Sequence, residues 1–367
     1  MIEHAYILLD PIECLRASIA PGYILGRYLL NDLGIETTIV SIFIKDDVKE
    51  KLETEGFGVE SPNKKMLTSG SILTFEGWLR KTYFKVKKNS IVVNFSQSLI
   101  PVTANGNGFK SIYYAQGMIV EALKDLEPDL PMHYRLVLKT LLMTNILKKL
   151  DSNLVKVFRK TSDLFIANSR FCGQMYEKYG VKVDDIIYPP VEIEKFDYNG
   201  PRSNDYVLTY IGKETSPLFL EKLVKVCKKK GIKIKAFGMK ADFLPKKIKK
   251  DIEIYKNIPT PELVKLYGNA RLTLFIFNQE PFGYVPVESL AAGTPVLTLN
   301  EQGPSESIVD GETGWLVPKS KIIPKLLEIW EQGYDESMRT KCKERAKNFA
   351  MDKILKEWEE KIKDLVE

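Results

Sequence analysis

A chain of 367 residues that is 44 % hydrophobic, 28 % charged and 10 % aromatic can bury the cores of two domains, which excludes a disordered or fibrous protein. Apolar runs such as Tyr6–Leu9 and Leu272–Phe277 fall short of the roughly 20 residues of a membrane span, and Glu3, Asp10 and Glu13 stand where a secretory leader would be apolar, so a cytoplasmic protein is expected. Four scattered cysteines and the two histidines His4 and His133 exclude a zinc or disulfide scaffold, and the net charge of +6 matters less than where it lies.

Short β-branched runs alternate with helix-length amphipathic stretches, the mark of parallel α/β layers. Strands are expected at Ala5–Leu9, Thr37–Ile44, Ile91–Phe95, Ser111–Tyr114, Asp163–Ala167 and Asp185–Tyr188. A leucine-rich stretch from Met132 to Phe158 carries Arg135, Lys139, Lys148, Lys149 and Lys156. It fits an interfacial helix or a buried helix pair with snorkelling lysines, and His133 within it reads as structural. The Asn199-Gly-Pro201 core of residues 196–204 cannot continue a helix or central strand, so the domain linker is expected there. Residues 1–199 then form one domain and 200–351 a second.

The second series of strands is expected at Tyr206–Ile211, Lys233–Phe237, Asp251–Tyr255, Leu272–Phe277 and Pro295–Leu299. Ser216-Pro217 supplies an N-cap and a first-turn proline, and Leu220, Leu223, Val224 and Cys227 recur on one face before Gly231. Thr260-Pro261-Glu262 repeats that start ahead of Leu263, Leu266 and Tyr267. A terminal helix over 352–367, with Ile354, Trp358, Ile362 and Leu365 in helical spacing, must pack on something, and the first domain is the candidate.

Twelve lysines and one acid fill Lys222 to Lys250, and Arg80, Lys81, Lys85, Lys87 and Lys88 form a smaller cluster. A solvated helix face is the plain reading; an anionic membrane surface, for the first-half cluster above all, is the sharper one. No RNA-recognition aromatic motif or basic zipper accompanies the lysines, so nucleic acid ranks last.

The informative stretch is Asn278-Gln-Glu-Pro-Phe-Gly-Tyr-Val-Pro-Val-Glu-Ser-Leu-Ala-Ala-Gly-Thr-Pro-Val296. A buried strand ends near Asn278, a tight loop carries Pro281 and Gly283, and a short helix runs from about Pro286 to Gly293. Loop N–H groups and the helix start then lie at the strand's carboxyl end, where open α/β sheets bind ligands. Glu280 and Glu288 flank the loop, and carboxylates accept paired hydroxyl hydrogen bonds while the N–H groups suit phosphates. A nucleotide sugar has both; a first-turn helix acid and a solvated loop residue are the bland alternative.

These residues resemble the retaining glycosyltransferases of family 4. That family's signature of Glu-Pro-Phe-Gly, a second Glu, Ala-x-Gly-x-Pro-Val, Gly-Pro-x-Glu and Gly-x-x-Gly-x-Leu-Val is matched by Glu280–Gly283, Glu288, Ala291–Val296, Gly303–Glu306 and Gly311–Val317. The resemblance is strong over about 260–317 and implies the GT-B fold, two facing Rossmann-like domains with parallel sheets, the first binding acceptor and the second a nucleotide-diphosphate sugar. It implies that Glu288 holds ribose hydroxyls, that Glu280 contacts the donor sugar as a catalytic group, and that Phe282, Gly283 and Tyr284 offer backbone N–H groups. The implied reaction is metal-independent sugar transfer with retention and without a cofactor.

The chain departs from the family where Gly-Arg and a later Lys-Gly usually clamp the diphosphate. Here Ile211-Gly-Lys-Glu-Thr-Ser-Pro217 puts Lys213 in the arginine place, without a bidentate fork. Lys213 as a catalytic cation is expected to work with Gly212, Thr215, Ser216 and the helix start at Pro217. In the first domain, Gly22 of Ala20–Tyr23 would allow close approach of a ligand, and Gln116 of Tyr113–Gly117 would hydrogen-bond a sugar where relatives place a histidine. The acceptor is open, a lipid-linked glycan or another saccharide, with peripheral contact at the cytoplasmic membrane face a further expectation. A GT-B epimerase or phosphorylase, and a non-catalytic sugar-nucleotide-binding protein or partner subunit, are the alternatives.

Overall fold

The computed structural model describes residues 3–62, 66–67, 71–80, 82–102, 108–118, 136, 139–141, 143–212, 215–238, 244–277 and 279–367. Lys213 and His133 lie outside the described residues. The chain divides into two units, Met1–Pro190 with Ile354–Glu367, and Val191–Lys353.

The first unit contains β1 (His4–Leu8), β2 (Glu36–Val40), β3 (Gly58–Glu60), β4 (Thr82–Lys85), β5 (Ser90–Asn94), β6 (Leu99–Val102), β7 (Phe109–Ala115), β8 (Leu164–Ala167) and β9 (Asp185–Ile186). Its main sheet runs β3-β2-β1-β5-β7-β8-β9 with every pair parallel, and β4 and β6 form a separate parallel ladder. Parallel strands are covered on both faces, and β1 and β5 are buried at every position. The order reverses between β1 and β5, which opens a crevice at their carboxyl ends.

The C-terminal helix Met351–Val366 buries Ile354, Leu355, Trp358 and Ile362. Trp358 packs within the first unit, its ring 5.2 Å from Tyr114 and 6.1 Å from Phe95, and Glu359 accepts the Tyr28 hydroxyl. The helix Ile146–Lys160 buries Leu147, Leu154, Val155 and Phe158 and leaves Ile146 and Leu150 exposed beside Lys148 and Lys149. Among the described residues no helix is long and apolar enough to cross a membrane.

The second unit contains β10 (Tyr206–Tyr210), β11 (Lys233–Gly238), β12 (Glu253–Lys256), β13 (Leu272–Phe275), β14 (Val296–Leu299) and β15 (Gly314–Val317), in the parallel order β12-β11-β10-β13-β14-β15. Here the order reverses between β10 and β13. One face of the sheet is covered by Leu220, Leu223 and Val224 of the helix Pro217–Lys229 and by Ile322 and Leu326 of Ile322–Gln332. The other is covered by Leu266 and Tyr267 of the helix Thr260–Asn269.

The two units part at Pro190/Val191, ahead of the expected linker, because Ile193, Phe196 and Tyr198 already pack on the second unit's core. The expected strands are present with ends shifted by a few residues; Thr37–Ile44 stops at Val40, where Ser41 turns the chain and donates its hydroxyl to Asp10 O at 3.0 Å. Ser216 caps its helix by accepting the Phe219 N–H. Thr260 instead lies inside its helix, with Pro259 at the N-cap and no side-chain cap.

Five of the twelve lysines of the lysine-rich stretch meet acids that sequence order keeps outside it or at its margin. Lys228 meets Asp251, Lys230 meets Glu331, Lys233 meets Asp205, Lys235 meets Glu253, and Lys247 meets Glu221, all within 3.5 Å. The solvated face is the reading that fits these ion pairs, each worth little to stability on its own.

Candidate functional site

The reversal between β10 and β13 places two exit loops side by side at the sheet's carboxyl edge. From β10 comes Ile211-Gly212 with Thr215 and Ser216, and from β13 comes the loop ending in Glu280–Gly283. A cavity of about 30 Å³, room for one or two waters, lies beneath the first loop between Thr215, Ser216, Ile276 and Lys319.

The first loop is closed on itself. The Gly212 N–H donates to Thr215 Oγ1 at 3.0 Å, the Thr215 N–H donates to Gly212 O at 3.1 Å, and Ser216 Oγ is the helix cap. Thr215 and Ser216 thus shape the loop through their hydroxyls.

The second loop is braced by the turn that follows β14. The Glu280 N–H donates to Gln302 Oε1 at 3.2 Å, and the Gly303 N–H donates to Glu280 O at 3.0 Å. A Cβ on Gly303 would stand 1.8 Å from Pro281 O, so only glycine permits this approach. Gly283 has φ +85°, and a Cβ there would meet Pro304 Cγ at 2.9 Å. The Gly303-Pro304 block therefore serves the Glu280 loop by holding its backbone. Gly283 and Tyr284 open the helix Tyr284–Ala291, whose first N–H groups have no partner within the helix.

Glu288 sits on the second turn of that helix. Its Oε2 accepts the Tyr267 hydroxyl at 2.8 Å, and burial pushes its carboxyl up to about 7 against that hydrogen bond. The Tyr267 hydroxyl is pushed well above its ordinary value by burial and by the neighbouring Glu288 charge. Tyr284, one helical turn before Glu288, has its hydroxyl buried without a hydrogen-bond partner among the described residues. Its ring meets Phe282 edge-on at 5.5 Å.

A polar lattice fixes this helix from below. Ser289 Oγ donates to Thr294 O at 2.9 Å and is hydrogen-bonded to Thr273 Oγ1 at 2.7 Å, while Thr294 Oγ1 donates to Tyr267 O at 2.7 Å. Arg202 donates to Gly268 O at 2.7 Å and Ala292 O at 2.9 Å, and Arg339 donates to Gly293 O at 3.1 Å. Two guanidinium groups thus meet the carbonyls that end the helices bearing Tyr267 and Glu288, where the helix dipole favours cations.

In the first unit, Gly22 lies in the helix Ala20–Asn31, and a Cβ there would meet Leu9 Cδ2 at 2.5 Å and Phe95 at 3.0 Å. It is a glycine of helix-on-sheet packing. Gln116 Nε2 donates to Ser18 O at 3.0 Å. Sequence reasoning passed over Asp10, at the β1/β5 reversal, whose Oδ1 accepts from Ser96 Oγ at 2.9 Å, Gln97 N at 2.9 Å and Ser98 Oγ at 3.1 Å. Its carboxyl is raised by burial in spite of those donors. The signal was a lone acid directly after an apolar strand. Tyr267 and Arg202 were passed over as well, because their partners lie 21 and 66 or more residues away.

Residues 204–349 match the family of glycosyl transferases group 1. The alpha-1,3/1,6-mannosyltransferase alg-2 of Neurospora crassa is 33% identical over 120 residues, 30% of this chain and 26% of that protein. The capsular polysaccharide biosynthesis glycosyltransferase CapM of Staphylococcus aureus is 24% identical over 196 residues, 46% of this chain and 50% of that protein. The chain thus spans between about a quarter and a half of these relatives' lengths. The solved glycosyltransferase of Rickettsia africae superposes with TM-score 0.64 at 15% identity, covering 99% of this chain and 98% of that one. The sucrose-phosphate synthase of Thermosynechococcus elongatus superposes with TM-score 0.68 at 12% identity, covering 99% of each. Anabaena HepE, solved with UDP and glucose, gives 0.64 at 13% identity over 99% of this chain and 100% of that one. At such identities the superpositions speak to fold: the chain has the GT-B fold, and its residues 204–349 are similar to the group 1 glycosyl transferases.

Proposed function

We propose that this chain is a retaining, metal-independent glycosyltransferase that moves a sugar from a nucleotide-diphosphate sugar to an acceptor hydroxyl. The observation that carries the reading is the Tyr267–Glu288 pair beside the braced Glu280 loop, at the reversal of the sheet in a domain similar to the group 1 glycosyl transferases. Glu288, fixed through one oxygen, has the other for a ribose diol. The N–H groups that open the helix at Gly283 and Tyr284 meet the diphosphate, and Glu280 meets the sugar.

In the transfer, the acceptor oxygen bonds to the anomeric carbon on the face from which the diphosphate departs. The carbon–oxygen bond to the diphosphate breaks with its electron pair on the phosphate, which takes the acceptor's proton. The protein's share is stabilisation of charge on the leaving diphosphate and on the oxocarbenium-like sugar. Lys213, proposed to add a cation there, lies outside the described residues.

The acceptor is proposed to bind the first unit, a lipid-linked glycan being the favoured class. Exposed Leu136, Met143, Ile146 and Leu150 lie with Lys148 and Lys149 on its leucine-rich segment, a combination suited to an anionic bilayer surface. Co-sedimentation with phosphatidylglycerol vesicles at low and high salt tests this: binding lost with Met143→Ser and Ile146→Ser supports it, and no binding at low salt removes it.

The central test is thermal shift with UDP-, GDP- and ADP-sugars, with and without EDTA, followed by product analysis on octyl α-mannoside and octyl α-glucoside. Stabilisation insensitive to EDTA and an α-linked product from an α-linked donor are expected. Binding without turnover would favour a sugar-nucleotide-binding protein, and no binding would end the reading.

A further inference from the structure

The glycosyl-transfer reading assigns Tyr284 only its backbone N–H, yet its side chain is the unexplained group of the site. Its hydroxyl is buried with no hydrogen-bond partner among the described residues, whereas Tyr267, on the neighbouring helix, gives its own to Glu288. Native proteins rarely leave a buried hydroxyl unmatched, and a bound ligand is one of the few states that matches it. Ring packing against Phe282 holds the phenol in place, so the hydroxyl is aimed and not swinging.

The charges around it narrow what that ligand presents. Glu288 lies one helical turn on, and the Glu288 and Glu280 charges both act on the phenol. Near two carboxylates a neutral hydroxyl is the better partner for the phenol than a phosphate oxygen, since it can donate to a carboxylate and accept from the phenol at once, while the diphosphate meets the backbone N–H groups.

We propose that the Tyr284 hydroxyl is a ligand-binding group, donating a hydrogen bond to a ring hydroxyl of the nucleotide sugar that Glu288 and Glu280 hold. The inference rests on the glycosyl-transfer reading and adds a side chain to its specificity. It implies opposite signs for two measurements on Tyr284→Phe, which removes only the oxygen. The ligand-free protein melts at the same temperature or higher, because an unmatched polar group is gone. Affinity for the nucleotide sugar falls about tenfold, the equivalent of roughly 1.4 kcal/mol.

Calorimetric titration of wild type and Tyr284→Phe with UDP-glucose, GDP-mannose, ADP-glucose, the matching nucleoside diphosphate and pyrophosphate tests this. Equal losses for sugar and diphosphate put the contact on ribose, and a loss for the sugar nucleotide alone puts it on the transferred sugar; either supports the proposal. Unchanged affinity in a normally folded variant overturns it, as does an equal loss for pyrophosphate, which would make the contact a phosphate one. Wild type that binds none of the nucleotides overturns the glycosyl-transfer reading itself.

Discussion

Tyr267 and Glu288 face each other from two separate helices, and the 2.8 Å hydrogen bond between them spends one carboxylate oxygen and leaves the other for a ligand. The phenol is fully buried, so its oxygen has no water to fall back on. Tyr267→Phe removes the donor and keeps the ring that packs against Phe237 and Phe196. A hydrogen bond to a charged partner contributes about 1.5–3 kcal/mol, so unfolding in urea is expected to move down by that order. Nucleotide affinity is expected to fall with it, since the carboxylate loses its orientation. A variant as stable as wild type would show the pair to be a contact without energetic weight.

Glu288 also predicts a pH dependence whose sign is fixed. Burial raises its carboxyl from 4.5 to about 7, so between those values the native state holds a proton that the unfolded chain has released. The resulting stabilisation is full below the unfolded value and is lost as the pH rises through about 7, a span equivalent to roughly 3 kcal/mol. Glu288→Gln, neutral throughout, is expected to lose this slope in urea unfolding measured at a series of pH values. Binding of a ribose diol should strengthen over the same range in wild type, as the carboxylate forms, and stay flat in the variant. An identical slope in both proteins would place the ionisation of Glu288 in the ordinary carboxylate range.

Arg202 joins the ends of the two helices that carry this pair. One nitrogen meets Gly268 O, the residue after Tyr267, and another meets Ala292 O, one turn past Glu288. Arg202→Ala leaves both carbonyls without that cation, and a loss of about 2–4 kcal/mol is expected in denaturant. Arg202→Lys keeps the charge but cannot span two carbonyls, so it should recover only part. The informative readout is the pH midpoint of nucleotide binding. A shifted midpoint in Arg202→Lys marks a positioning role toward Glu288, and an unmoved one marks stability alone.

The site loop was legible in the sequence because its parts are local. Glycines at 283 and 303 and prolines at 281 and 304 announce a turn, and Glu288 follows on a helix that Gly293 ends. What the sequence spacing could not supply was the bracing. Gly303 belongs to the motif because its missing Cβ admits Pro281 O, a relation across 22 residues with no periodic trace. The lysine-rich stretch shows the same limit: its plain reading as a solvated face fits the structure, but a window along the chain counts neighbours in sequence, and the acids that meet Lys230 and Lys233 are the distant Glu331 and Asp205. The strands β3, β4, β6 and β15, of three or four residues, went unseen. Tyr267 looked like one more buried aromatic of its helix, and nothing in its spacing told a core residue from one that also holds a carboxylate.

Asp10 offers the corresponding test in the first unit. Three hydrogen bonds fall on Asp10 Oδ1, and the donors come from one short segment, Ser96 to Ser98, at the end of β5. Asp10→Asn can keep an oxygen toward those donors while replacing Oδ2 by an amide, whereas Asp10→Ala strands all three. Urea unfolding should therefore register a loss of about 1 kcal/mol or less for Asn and about 2–4 kcal/mol for Ala. The crevice at the β1/β5 reversal is where a parallel sheet receives its ligand, so the question to test is whether Asp10 accepts from an acceptor hydroxyl there. If it does, Asp10→Asn lowers transfer to octyl glycosides more than tenfold while nucleotide-sugar affinity stays at the wild-type value. If Asp10 only pins the loop, the Asn variant transfers sugar as wild type does, and the Ala variant alone is impaired.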